Sequence, residues 1–221
     1  MYTGPHIITD GLVFAVDAAS ARSYPGSGTT STDLAGTNTI SLDNGVGFNS
    51  TNGGTFVFDG TNDEINTNLT TQYTDFSCVV IFKNNNTTAW GRLVDKSYSN
   101  GFFISAYFLT GGLGYVGAGV IEPSSPHGQS LQYDTSVYNY FVVTRSGTTH
   151  TIYLNGSGTS ASKTGSGSAM STNAMAIGSW TGGTTSQRFT GEIPVVKTYN
   201  RALTAAEVDQ DFNAYRNRFG I

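Results

Sequence analysis

The sequence predicts an all-β fold, two packed antiparallel sheets closed by one C-terminal helix, on three observations. Short apolar stretches of strand length recur along most of the 221 residues, separated by turn-rich connections, with no βαβ spacing. Glycine stands at 28 residues, proline at only five and aromatics at 12%. That mixture suits many strands joined by tight turns, with Tyr and Phe supplying core volume. The rhythm of an amphipathic helix is strong only in the final stretch, TYNRALTAAEVDQDFNAYRNRFGI. A chain of this length is expected to form one sandwich domain rather than two.

Taken in order, GLVFAVDAA (11–19) reads as the opening strand, preceded by an N-terminal arm over residues 1–10 and followed by the loop SYPGSGTTSTDLAGTN. In GTFVFDG (54–60), Phe56 and Phe58 share one face and Val57 takes the other. INTNL follows the turn TNDE. In DFSCVVIFK (75–83), Phe76, Cys78, Val80 and Phe82 line one face while Val79 and Ile81 make the other apolar, which predicts a central strand. Further strands run through GRLVDK, GFFISAYFL and GLGYVGAGVI, with Gly111-Gly112 as a hairpin turn between the last two. EPSSPHGQS (122–130) reads as a loop. NYFVVTRSGTTHTIYLNGS is the clearest hairpin, with Asn155-Gly156 supplying turn chemistry after its second arm. GSGTSASKTGSGSAMS has little apolar content and is expected to be a loop, and AMAIGSW and RFTGEIPVVKTYN are the closing strands. About twelve strands result.

The tail has its own grammar. Thr204 is placed as an N-cap with Glu207 at N3, a reciprocal capping box, and Leu203 and Val208 form the flanking hydrophobic staple. Val208, Phe212, Tyr215 and Phe219 then make one apolar stripe along a helix over 204–219. Asp209, Asp211, Arg216 and Arg218 are expected to point outward as a solvated face, acids early and bases late with the helix dipole.

Charge excludes several function classes. The formal net charge is −4, and no two Lys or Arg residues are adjacent. No footprint for nucleic acid or anionic lipid is built from such a pattern. A single cysteine, Cys78, excludes an intramolecular disulfide and reads as a buried thiol. No apolar run approaches the length of a membrane span, and the opening residues lack the regions of a secretory leader.

Catalytic patterns are sparse. Glycoside hydrolysis needs two carboxylates flanking one bond. The four glutamates, Glu64, Glu122, Glu192 and Glu207, have no acid two residues on along a strand, and Glu192 has no visible partner. His6, His127 and His150 are scattered, and no HExxH, GxSxG or phosphate-loop motif is present. DGTNDE (59–64) gathers three acids and an Asn, with Asp59 and Asp63 as candidate calcium ligands or, alternatively, as turn residues accepting local backbone N–H groups. Sugar contact has candidates in Trp90, Trp180 and Tyr98, with Asp95 and Asn155 as hydroxyl partners and Tyr107 and Tyr115 as further aromatics near strand ends. The same aromatics would serve equally in a subunit interface.

Several segments in their order resemble one known group. DGLVFAVDAASARSYPGSGTTSTDLAG, GGTFVFDGTNDEI, FVVTRSGTTHTIYLNG and FTGEIPVVKTYNRALTAAEV are similar to the laminin-G-like branch of the concanavalin A-like lectin/glucanase superfamily, as found in tailed-phage virion proteins. The resemblance implies a two-sheet antiparallel jelly-roll sandwich over 11–221, and in some members calcium at the sandwich rim, where Asp59 matches the family's FDG aspartate. The E-x-D-x-x-E strand of the superfamily's glucanases is absent. It implies a virion structural or accessory protein, such as a head decoration, fibre or tail component, acting through contacts with other virion proteins and with its own copies. The alternative is a carbohydrate-binding adhesion module, and a glycoside hydrolase stands third.

Overall fold

A computed structural model describes residues 5–85, 90–96, 101–109, 111–120, 129–165, 170–181 and 187–221. In chain order the first strands are β1 (Leu12–Asp17), β2 (Thr30–Thr32), β3 (Thr39–Asp43), β4 (Gly47–Asn49), β5 (Thr55–Asp59) and β6 (Glu64–Asn66). The middle of the chain forms β7 (Phe76–Asn84), β8 (Trp90–Asp95), β9 (Phe102–Phe108), β10 (Leu113–Val120) and β11 (Gln129–Asp134). β12 (Asn139–Ser146), β13 (Thr149–Leu154), β14 (Ser160–Thr164), β15 (Ala176–Ile177) and β16 (Thr190–Tyr199) precede the helix α1 (Ala205–Phe219).

These strands make two antiparallel sheets packed face to face. The first runs β14-β13-β12-β7-β16-β5-β4, with β1 also paired to β16. The second runs β11-β10-β9-β8-β15-β6-β3-β2. The long β16 serves β7 along one edge, while β5 takes its first half and β1 its second half on the other. Pro194 lies at the irregularity of β16 between Glu192 and Val195, where a residue without an N–H does least damage to the ladder. The alternation in β7 places its side chains as the sequence predicts. Phe76, Cys78, Val80 and Phe82 enter the core between the sheets, and Val79 and Ile81 enter a second core on the far side. Burial pushes the Cys78 thiol up to about 12, so it is an inert core residue.

That second core is the reason for the helix. Val79, Ile81, Tyr140, Val142, Val195 and Tyr199 form an apolar outer surface on the first sheet, and α1 covers it with Val208, Tyr215 and Phe219. The capping box closes as expected, Thr204 Oγ1 accepting from Glu207 N at 3.2 Å and Glu207 Oε2 from Thr204 N at 2.8 Å. Of the N-terminal segment, Ile8 is buried in this same core and its N–H donates to Asp211 at 3.4 Å.

The charged face of α1 departs from expectation. Asp211 is fully buried and bonded to Lys197 at 2.5 Å. Asp209 accepts from the N–H and hydroxyl of Ser157, and Arg218 grips Asp17 with both oxygens at 2.9 Å. Only Arg216 of the four is exposed. The helix is held between the sheet and the turn after β13, so its flanks meet protein where a surface helix would meet water. The stretch 156–171, expected to be a loop, contains β14, an edge strand of Ser, Thr and Lys around Ala161. β2, β3, β4 and β11 are likewise strands that the apolar pattern does not predict, three of them in the first half of the chain.

Candidate functional site

α1 covers the outer side of the first sheet, and the candidate site lies on the outer side of the second. Register across β8, β9 and β10 aligns Trp90, Tyr107 and Tyr115, and Gln132 of β11 continues the line. The next line reads Arg92, Ser105, Gly117 and Ser130, and the third places Asp95 opposite Phe103 and Phe103 opposite Gly119. An aromatic ridge therefore crosses the strands, with small residues beside it. Between them lies a cleft of about 300 Å³, lined from Trp90 and Phe103 across to Gln129 and Ser130. Trp90 is 56% exposed and its ring centroid lies 5.2 Å from that of Tyr107.

A β-bulge builds the far wall. The register of β8 against β9 shifts between Arg92 and Val94, so Leu93 and Val94 both enter the core and Asp95 joins Trp90 and Arg92 on the outer face. Strict alternation would have turned Asp95 inward. The Arg92 guanidinium then lies flat on Phe103, 3.6 Å from its centroid, donates to Ser105 Oγ at 2.9 Å and stands 3.6 Å from Asp95. Asp95 accepts a 2.6 Å bond from the Thr181 hydroxyl. Gly119 is required below Phe103, since a Cβ there would fall 2.3 Å from the ring. The floor beside Gly117 stays low because that position has no side chain.

The other sequence candidates are dispersed. Trp180 is half-buried next to Thr181 and does not line the cleft. Asn155 lies at the opposite side of the molecule, in a left-handed turn with φ 52°, accepting from Tyr140 N at 2.8 Å. Tyr98 lies outside the described residues. Phe103, Ser105, Gln129 and Ser130 were not singled out by sequence, since their convergence depends on strand register. Asp59 and Asp63 close a turn: Asp63 accepts from Asp59 N at 2.9 Å and Asp59 from Thr61 N at 2.7 Å. Burial pushes the Asp63 carboxyl upward. Two carboxylates with one oxygen each held in the turn fall short of the roughly six to eight oxygens that calcium takes. No group of three or more His, Cys, Asp or Glu converges among the described residues.

The glutamates considered for hydrolysis stand elsewhere. Glu64 accepts from Ser179 at 2.5 Å and Arg188 at 2.8 Å, Glu192 accepts from the Tyr138 hydroxyl, and Glu207 caps α1. Glu122 lies outside the described residues. No carboxylate lines the cleft among the residues described.

A family model described as the concanavalin A-like lectin/glucanases superfamily matches residues 59–209. The chain belongs to that superfamily. No curated protein sequence matches it. Among solved structures, the binding domain of botulinum neurotoxin serotype D superposes with a TM-score of 0.67 at 12% identity, over 94% of this chain and 52% of that one. The binding domain of Paraclostridial Mosquitocidal Protein 1 gives 0.65 at 18%, over 95% and 53%. The chain thus spans about half the length of these toxin domains. Domain 4 of the extracellular arabinanase AbnA from Geobacillus stearothermophilus, determined in complex with arabinotriose, gives 0.62 at 17%, over 91% of this chain and 98% of that domain. At these identities the superfamily member shares the sandwich fold with each of them. No helix among the described residues is long and apolar enough to cross a membrane.

Proposed function

We propose that this superfamily member is a carbohydrate-binding module whose ligand lies on the outer face of β8–β11. The observation that carries the reading is the cleft itself: an exposed Trp90 aligned with Tyr107 and Tyr115 beside the small residues Ser105, Gly117, Ala118 and Ser130. Aromatic faces take the C–H side of a sugar ring, and hydroxyl and amide groups beside them fix its orientation. The arabinotriose held by the arabinanase domain, which this chain matches over nearly all of that domain's length, supports the same reading.

Contacts between virion proteins would instead use aromatics such as Tyr107 or Phe219 in an interface. Phe219 is buried within the chain, 4.9 Å from Tyr138, and Tyr107 belongs to the ridge. Carriage on a phage particle is a separate proposal that rests on the resemblance of the opening and closing segments; labelling purified particles with an antibody to this protein tests it.

Glycan-array screening followed by titration calorimetry tests the binding reading. Trp90→Ala is expected to weaken the best glycan at least tenfold, about 1.4 kcal/mol, while changing folding stability by no more than ~0.5 kcal/mol. Absence of any glycan ligand, or full affinity in the variant, would sink the proposal.

A further inference from the structure

Resting on that reading, we propose that the ligand is an uncharged stretch of glycan chain laid across the strands, and that acidic sugars are rejected. The cleft carries no formal charge among the described residues that line it. Arg92, on the same face of β8, is only 5% exposed, and its guanidinium is taken up by Phe103, Ser105 and Asp95. The sequence joining β8 to β9 holds one cation, Lys96, which is fully buried with its ammonium donating to Leu69 O at 2.5 Å and Asn173 O at 2.9 Å. The sequence joining β10 to β11 contains no Lys or Arg and adds Glu122. A carboxylate or sulfate entering the cleft would lose water with no cation among the described lining residues to replace it, and Asp95 stands opposite Phe103 of the lining.

The polar inventory points the same way. Gln129 borders the cleft through its backbone, while its side chain turns inward with Leu131 and Tyr133 and donates from Nε2 to His150 O on β13 at 3.4 Å. Ser105 and Ser130 can serve hydroxyls as donor or acceptor. The ridge also sets direction. From β8 to β10 it spans two strand spacings, roughly 10 Å, room for about two sugar rings side by side along the row.

Calorimetry of the whole protein against two probe sets decides the matter. The neutral set is arabino-, xylo- and gluco-oligosaccharides; the acidic set is oligogalacturonates and sialyllactose. The expected result is that the best neutral probe binds at least tenfold more tightly than the best acidic one, with an affinity that does not change between low and high salt and is lost in Trp90→Ala. Equal affinity for the two sets overturns the inference. So does preferential, salt-sensitive binding of the acidic set, although its loss in Trp90→Ala would leave the carbohydrate-binding reading standing. Binding of neither set, together with an empty glycan array, overturns both.

Discussion

Lys197 and Asp211 meet beneath α1 with both side chains sealed from water, the ammonium 2.5 Å from each carboxylate oxygen. The Tyr140 hydroxyl donates to Asp211 at 2.8 Å, and the ammonium sits 4.6 Å from the centroid of the Tyr215 ring. Burial lowers the Lys197 pKa from its ordinary value, with Asp211 opposing that shift. A buried pair of this kind does little net work while intact, because desolvation offsets the attraction, but each charge becomes costly once its partner is gone. Lys197→Met or Asp211→Asn alone is expected to destabilise by about 3–5 kcal/mol in urea unfolding, and the double change Lys197→Met with Asp211→Leu by less than either. A single variant costing under ~1 kcal/mol would contradict the account. The charge of Asp211 hides its location in the sequence. It falls on the flank of the helical stripe, and only the fold of residues far away in β16 turns that flank into an interior.

At the scale of the element, α1 begins with a reciprocal cap that doubles as an ion pair. Arg201 reaches both oxygens of Glu207, at 2.9 and 2.6 Å, while the carboxylate also receives Thr204 N. The Arg201 hydrogen bonds, the largest cause, together with those of Thr204 pull Glu207 down from 4.5 to about 2. A depressed carboxyl pKa adds stability above the unfolded value of 4.5 that is lost as pH falls toward about 2. Glu207→Gln is therefore expected to melt below the wild type at neutral pH, with the gap closing as the buffer is taken from pH 4.5 to 2 in thermal scans. A gap that stays constant across that range would refute the linkage. The helix was legible because cap, staple and stripe are all interactions within a few residues. The central strand β7 was legible because both its faces are apolar. β14 was not, since an edge strand paired through its backbone needs no apolar period. In β3, Ile40 and Leu42 alternate correctly, but the run is short and surrounded by Thr, Ser and Asn. Trp90, Tyr107 and Tyr115 could be picked out as aromatics, while their alignment depends on register over three strands and on a bulge that local sequence does not announce.

For the whole molecule, the two faces of the sandwich have divided labour. One is sealed by α1, and the other carries the cleft. Deleting 205–221 would uncover Val79, Ile81, Val142 and Val195 together, an apolar patch on a central region of sheet. With about 1.5–3 kcal/mol for each such side chain, the loss approaches the roughly 5–15 kcal/mol that holds a domain folded. The truncated protein is expected to be insoluble or to lose cooperative unfolding, and a soluble monomer with the unfolding midpoint of the full chain would show that the first sheet stands without its cover.

The four strands of the cleft are neighbours both in space and along the chain, from Trp90 to Asp134. Facing the other way, Leu93, Ile104, Val116 and Tyr133 belong to the core between the sheets. The lining of the cleft and the packing of the core are thus written on interleaved letters of a single short passage. Mutation can revise one message while leaving the other intact, so that under the proposed reading a lineage could change what it grips without rebuilding the hand.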